Sequence, residues 1–118
     1  MQRPPQRQGT ALPEADRAAA SQNPGEAGRR RMHVLYSGRV QGVGFRYTAK
    51  SVAAGFEITG TVRNLPDGRV ELVAEGLKGE LESFRDAIRE AGLSGLIRNE
   101  AVTWSEATGD LRGFEIVR

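Results

Sequence analysis

The chain has 118 residues, with 17 Lys and Arg, 15 Asp and Glu, and no cysteine. This length suits one domain with one modest core, and no hydrophobic run approaches the roughly 20 residues that a transmembrane helix needs. The absence of cysteine excludes disulfide bonds, thiolate zinc sites and a cysteine nucleophile.

Residues 1–31 differ in composition from the rest of the chain. They contain no aromatic residue, and Leu12 is their only large aliphatic side chain, so they cannot bury enough apolar surface to offset the entropy of ordering. Six of the 17 basic and three of the 15 acidic residues lie here, which leaves residues 32–118 with a formal net charge of −1. We therefore predict a disordered extension rich in Arg, Pro and Gln over residues 1–31, and a folded domain over residues 32–118.

After residue 31 the apolar pattern changes repeatedly between strand and helix periods. Residues 32–37 predict a strand, and the helical spacing that follows predicts a helix ended by Gly55; its apolar positions are Phe45, Ala49, Val52 and Phe56. Residues 57–64 return to the alternation of a strand.

Pro66 and Gly68 then favour a tight turn, because proline fixes its own φ and glycine tolerates a left-handed one. The strand beyond this turn alternates apolar residues with Arg69, Glu71 and Glu75, which are predicted to face outward. Apolar residues at helical spacing predict a second helix that ends at Gly92; they are Leu77, Leu81, Phe84, Ile88 and Ala91.

Residues 101–107 predict another strand, and Phe114 with Ile116 predicts a short last one. The element order is thus β-α-β-β-α-β with an added terminal strand, which is the ferredoxin-like pattern. We predict an α+β two-layer sandwich, with an antiparallel sheet, both helices on one face and a short extra C-terminal strand.

The glycine-rich loop between the first strand and the first helix indicates an anion-binding site. Gly38, Gly42 and Gly44 can free backbone N–H groups to converge on an anion at the start of a helix, where Arg46 adds a permanent charge. The loop lacks the Gly-Lys-Ser/Thr of a nucleotide-binding P-loop and the third glycine of a dinucleotide site. It also resembles an RNA-binding RNP1 motif, but Val43 stands where that motif needs an aromatic residue to stack on a base. The simplest alternative is that the glycines only form a tight turn without a function.

Residues 37–47 resemble the signature loop of the acylphosphatase family almost residue for residue. Residues 60–68, Gly-Thr-Val-Arg-Asn-Leu-Pro-Asp-Gly, are similar to the second signature of that family, and residues 113–116 resemble its usual ending. The resemblance covers about residues 32–118. Two separated motifs in the right order on one predicted fold are more specific than either motif alone.

The resemblance implies hydrolysis of acyl phosphates to a carboxylate and inorganic phosphate. It implies that Arg46 binds the phosphoryl group with loop amides and that Asn64 orients the attacking water. The implied phosphate-binding residues are Gln41, Gly42, Val43, Gly44, Phe45 and Arg46. It also implies a metal-independent enzyme without a cofactor. His33 lies in the first strand without a carboxylate partner in the sequence pattern, which favours a structural role.

We expect a cytoplasmic protein, monomeric and without membrane or nucleic-acid partners, that acts on a small acyl phosphate. Two alternatives remain from the sequence. The loop could belong to a non-catalytic phosphate-binding module, or to a fragment of a larger carbamoyl-transfer protein. An RNA-binding ferredoxin-like domain is the other alternative, but the net charge of −1 on residues 32–118 disfavours it.

Overall fold

The computed structural model describes residues 28–118, so most of the predicted extension lies outside the described residues. Five strands and two α-helices occur in the predicted order. They are β1 (Arg29–Gly38), α1 (Phe45–Ala53), β2 (Ile58–Asn64), β3 (Val70–Leu77), α2 (Lys78–Ile88), β4 (Ile97–Glu106) and β5 (Phe114–Ile116), with a wider helical turn at Arg89–Leu93 after α2. Within residues 28–118, no helix is both long and apolar enough to span a bilayer.

The strands form one sheet in the order β4-β1-β3-β2-β5. The first four of these pair antiparallel, as predicted. The fifth differs from its neighbours, because β5 pairs parallel to β2, with Gly60 opposite Phe114. The α+β ferredoxin-like prediction is confirmed, while the added strand makes the sheet mixed. Residues 107–113 reverse the chain and carry it from one edge of the sheet to the other.

Gly60 allows β2 to lie close to both of its neighbours in the sheet, β3 and β5. A Cβ at Gly60 would clash with the carbonyl oxygen of Val73 and would lie 2.9 Å from the ring of Phe114. The close approach is reinforced by hydrogen bonds from Gly60 N–H to Gly113 O (2.8 Å) and from Val117 N–H to Val62 O (2.9 Å). Backbone hydrogen bonds therefore hold the short last strand, and a side chain at Gly60 would disturb its contact with β2.

One face of the sheet and both helices enclose a single apolar core. The buried strand residues alternate, as expected when one face is covered, and include Met32, Val34, Tyr36, Val62, Val70, Leu72 and Ala74. The helices contribute Phe45, Ala49, Ala53, Leu81, Phe84 and Ile88. Phe84 contacts two further rings, with centroids 5.9 Å from Phe56 and 5.5 Å from Phe114. The prediction that both helices lie on one face is confirmed.

The first strand begins earlier than the sequence predicted. Arg29, Arg30 and Arg31, assigned above to the extension, are the first residues of β1 and pair with β3 and β4. Composition missed them because arginine is not a typical strand residue. Arg31 is opposite Glu75 in the register, and its guanidinium Nε lies 2.7 Å from the Glu75 carboxylate. The folded domain therefore includes residues 29–31.

Glu75 contradicts the prediction that it faces solvent. Its side chain is fully buried and accepts hydrogen bonds from Arg31 Nε (2.7 Å), Thr108 N–H (2.9 Å), Thr108 Oγ1 (3.0 Å) and Gly109 N–H (3.0 Å). Burial opposes ionisation, but these donors outweigh it and lower the pKa of Glu75 to about 2. The carboxylate joins β1, β3 and the connection that leads to β5.

We expect Glu75→Gln to lower the free energy of unfolding at pH 7 by roughly 2–4 kcal/mol. The pKa of the folded state, about 2, lies below the ordinary value of 4.5. Glu75 therefore stabilises the fold fully above pH 4.5, and this stabilisation is lost as the pH falls towards 2. Urea unfolding followed by Trp104 fluorescence between pH 7 and pH 2.5 measures the difference.

In that series the difference between wild type and Glu75→Gln should shrink steadily below pH 4.5. Glu82→Gln is the matched control, because Glu82 is exposed on α2 and its substitution should change stability by less than about 0.5 kcal/mol. An equal stability of wild type and Glu75→Gln at pH 7 would contradict the role of this carboxylate.

Candidate active site

The loop between β1 and α1 is anchored at both ends and open in its middle. Val40 and Phe45 are buried, and Arg39 N–H donates to Leu96 O at 2.9 Å. Gly42 and Gly44 have left-handed φ values of 76° and 83°, which favour glycine. Gly44 O begins α1 by accepting Thr48 N–H at 2.9 Å. The glycines therefore turn the chain sharply into the helix.

The loop has unused donors. Within residues 28–118, no backbone N–H of residues 41–46 donates a hydrogen bond to another backbone group. Some of these groups belong to the first turn of α1, where N–H groups have no intrahelical acceptor and the helix dipole favours negative charge. The loop is chemically suited to an anion.

The side chain of Gln41 connects this loop to the turn that follows β2. Its Nε2 donates to Leu65 O and to Arg69 O, both at 2.8 Å. Gln41 was predicted as a phosphate-binding residue, but its side-chain donors are committed to these carbonyls, so only its backbone N–H is free for a ligand. Sequence reasoning missed this link, because main-chain carbonyls leave no signal in the sequence.

Arg46 and Asn64 line the same open cleft, which has a volume of about 720 Å³. The other lining residues come from α1, namely Tyr47 and Lys50, and from the C-terminal end of the described chain, residues 115–118. The structure thus brings together the two residues predicted as catalytic, although they are 18 positions apart in the chain. The predicted loop residues 41–45 are not among the lining residues and adjoin Arg46 through the backbone.

Asn64 carries an unpaired polar atom at this cleft. Its Oδ1 is buried and, within residues 28–118, has no hydrogen-bond partner. A buried acceptor without a donor costs about 1–3 kcal/mol. The Asn64 amide can also turn about χ2, a torsion that is roughly two-fold, and so can present its oxygen or its NH₂ to the cleft. The position favours a ligand that donates a hydrogen bond.

A second polar cluster lies on the opposite face of the sheet. Glu71 accepts hydrogen bonds from His33 Nε2 at 2.8 Å and from Arg63 Nε at 2.6 Å. The hydrogen bond from His33 is the main cause that lowers the pKa of Glu71, while its burial opposes this and Arg63 reinforces it. His33 therefore has a carboxylate partner after all, but not in the cleft. Within residues 28–118, no three His, Asp or Glu residues are grouped as a metal site.

Comparison with known proteins decides the family. A model of the acylphosphatase family matches residues 32–116. The chain belongs to this family. A protein named acylphosphatase from Trichormus variabilis is 46% identical over 88 residues, which are 75% of this chain and 86% of the relative.

Solved structures agree with this assignment. The crystal structure of acylphosphatase from Bacillus subtilis has a TM-score of 0.69 and 36% sequence identity, and the match covers 75% of this chain and 99% of that one. The crystal structure of HypF from T. kodakarensis has a TM-score of 0.66 and 27% identity, but only 12% of that longer chain is matched. The chain is therefore a hydrolase of acyl phosphates.

We expect Gln41→Ala to lower kcat/KM for benzoyl phosphate about tenfold, because the loop loses its connection to the turn beside Asn64. The two lost hydrogen bonds should also lower the free energy of unfolding by about 1–3 kcal/mol. Steady-state hydrolysis and urea unfolding measure the two effects on the same sample. Unchanged kcat/KM in a variant destabilised by that amount would show that the link contributes to folding alone.

Proposed function

We propose that Arg46 and the N–H groups of residues 41–46 bind the phosphoryl group of an acyl phosphate, and that Asn64 orients the water that attacks it. The observation that carries this proposal is that Arg46 and Asn64 line one cleft while Asn64 Oδ1 has no partner within the described residues. When the amide turns about χ2 and presents this oxygen to the cleft, a water O–H donates to it, and a lone pair of the water oxygen is left to attack phosphorus.

The reaction needs few groups from the protein. Water oxygen forms a bond to phosphorus, the bond between phosphorus and the acyl oxygen breaks, and the carboxylate leaves with the electron pair. The water proton passes to a phosphoryl oxygen of the substrate. Because the conjugate acid of the carboxylate has a pKa near about 4–5, the leaving group needs no general acid. Positioning and charge stabilisation suffice for such a loose transition state.

Arg46 suits the charge-stabilising role for two reasons. It lies in the first turn of α1, so its guanidinium and the positive end of the helix dipole act on the same anion. Its planar group of donors also matches the oxygens of a phosphoryl group in a bidentate manner.

We also propose that the enzyme is metal-independent, cytoplasmic and monomeric. Metal independence is supported by the good leaving group, which reduces the charge that must be stabilised. A chain without cysteine suits a reducing compartment, where disulfides are rare.

Arg46→Gln is expected to lower kcat/KM for benzoyl phosphate at least about 1000-fold, because an ionic contact to the transition-state charge is worth several kcal/mol. Hydrolysis is followed by absorbance with EDTA present, which also tests metal independence. Arg98→Gln removes the same charge from an exposed residue of β4 and should retain wild-type activity. Comparable activities in the two variants would disprove the role of Arg46.

Asn64→Ala is expected to lower kcat about 100-fold, in the range for loss of one oriented hydrogen-bonding group. The inhibition constant of inorganic phosphate should stay within about threefold of wild type, because Arg46 and the loop remain. Stopped assays with and without phosphate give both values. A kcat equal to that of wild type would contradict water positioning, and weaker phosphate binding would place Asn64 at the phosphoryl group instead.

A further inference from the structure

The cleft continues from Arg46 along α1 to a second cation. Arg46 and Lys50 are four residues apart on the helix, so their side chains project from the same face with Cβ atoms about 5–6 Å apart. Both line the cleft. Under the proposed function Arg46 holds the phosphoryl group, so Lys50 is positioned to meet the part of the substrate that extends beyond it.

Lys50 is held only weakly by the protein. Its Nζ lies 3.6 Å from Glu115 Oε1, and the two side chains are 49% and 60% exposed. Within residues 28–118 this ion pair is the only polar contact of the Lys50 ammonium. Exposed pairs of this kind are typically worth about 0–1 kcal/mol. An anionic group in the cleft can therefore replace Glu115 at little cost.

The charges of the cleft favour such a group. Three basic side chains line it, those of Arg46, Lys50 and Arg118, and one acidic side chain, that of Glu115. When a phosphoryl group is bound at Arg46, the side chains of Lys50 and Arg118 still present positive charge to the acyl chain. Because the two side chains leave the helix about 5–6 Å apart, their charged ends can contact two anionic groups that are a few atoms apart in one substrate.

We propose that Lys50 is a specificity-determining residue that binds a second anionic group on the acyl chain. The preferred substrates are acyl phosphates whose acyl part carries a carboxylate or phosphate a few atoms from the scissile bond. When no substrate is bound, the carboxylate of Glu115 pairs with the Lys50 ammonium. This carboxylate competes with the anionic group of the acyl chain for the same ammonium. This inference rests on the placement of the phosphoryl group at Arg46.

The test compares 3-carboxybenzoyl phosphate with benzoyl phosphate, which differ in one carboxylate that cannot react with the anhydride in the same molecule. The readout is the ratio of the kcat/KM value for 3-carboxybenzoyl phosphate to that for benzoyl phosphate. The two substrates differ in intrinsic reactivity by the same factor in every variant, so a change in this ratio reports a change in the enzyme. Lys50→Gln should lower this ratio about tenfold, and Glu115→Gln should raise it severalfold. The effect of Lys50 should decrease at high ionic strength, as expected for exposed charges.

Lys78→Gln is the matched control, because Lys78 lies on α2 with its Nζ 5.4 Å from the Trp104 ring, outside the cleft. It should leave the ratio unchanged. A Lys50→Gln variant that loses activity equally on both substrates, or on neither, would overturn the proposal. Failure of the proposed function itself would appear differently, as hydrolysis of benzoyl phosphate that survives Arg46→Gln.

Discussion

Two hydrogen bonds from one side-chain amide hold the loop that precedes Arg46 against the turn that follows Asn64. Gln41 donates to Leu65 O and Arg69 O, at the two ends of the turn that follows Asn64. The strand register makes this contact possible, because Val70 of β3 is opposite Tyr36 on one side and Asn64 on the other. The chain leaves β1 and β2 at the same end of the sheet, so the glycine loop and Asn64 meet there.

Much of this arrangement could be predicted from the sequence. The alternation of apolar periods identified both helices and every strand, because each element buries one face and therefore repeats at its own spacing. The glycines beside Arg46 identified the loop, since positive φ values at Gly42 and Gly44 are local requirements. Asn64 was found through the second signature motif, not through any physical pattern.

The errors arise where a residue or strand depends on a distant part of the chain, which local periodicity and composition do not describe. Glu75 alternates with Ala74 as an outward residue would, yet Thr108 and Gly109 cover it. Arg31 was assigned to the extension for its composition, but a buried carboxylate selects an arginine partner across the sheet. The parallel direction of β5 depends on a connection that crosses the sheet, and no local sequence feature specifies such a crossing.

The dependence of β5 on Gly60 has an evolutionary consequence. The strand has three residues, and it is fixed by backbone hydrogen bonds and by the absence of a side chain at Gly60 rather than by particular side chains at its exposed positions. Glu115 is one of those exposed positions. Selection can therefore exchange the residue that faces Lys50 without disturbing the core or the pairing of β5 with β2, so the charge on this side of the cleft can change while the fold is retained.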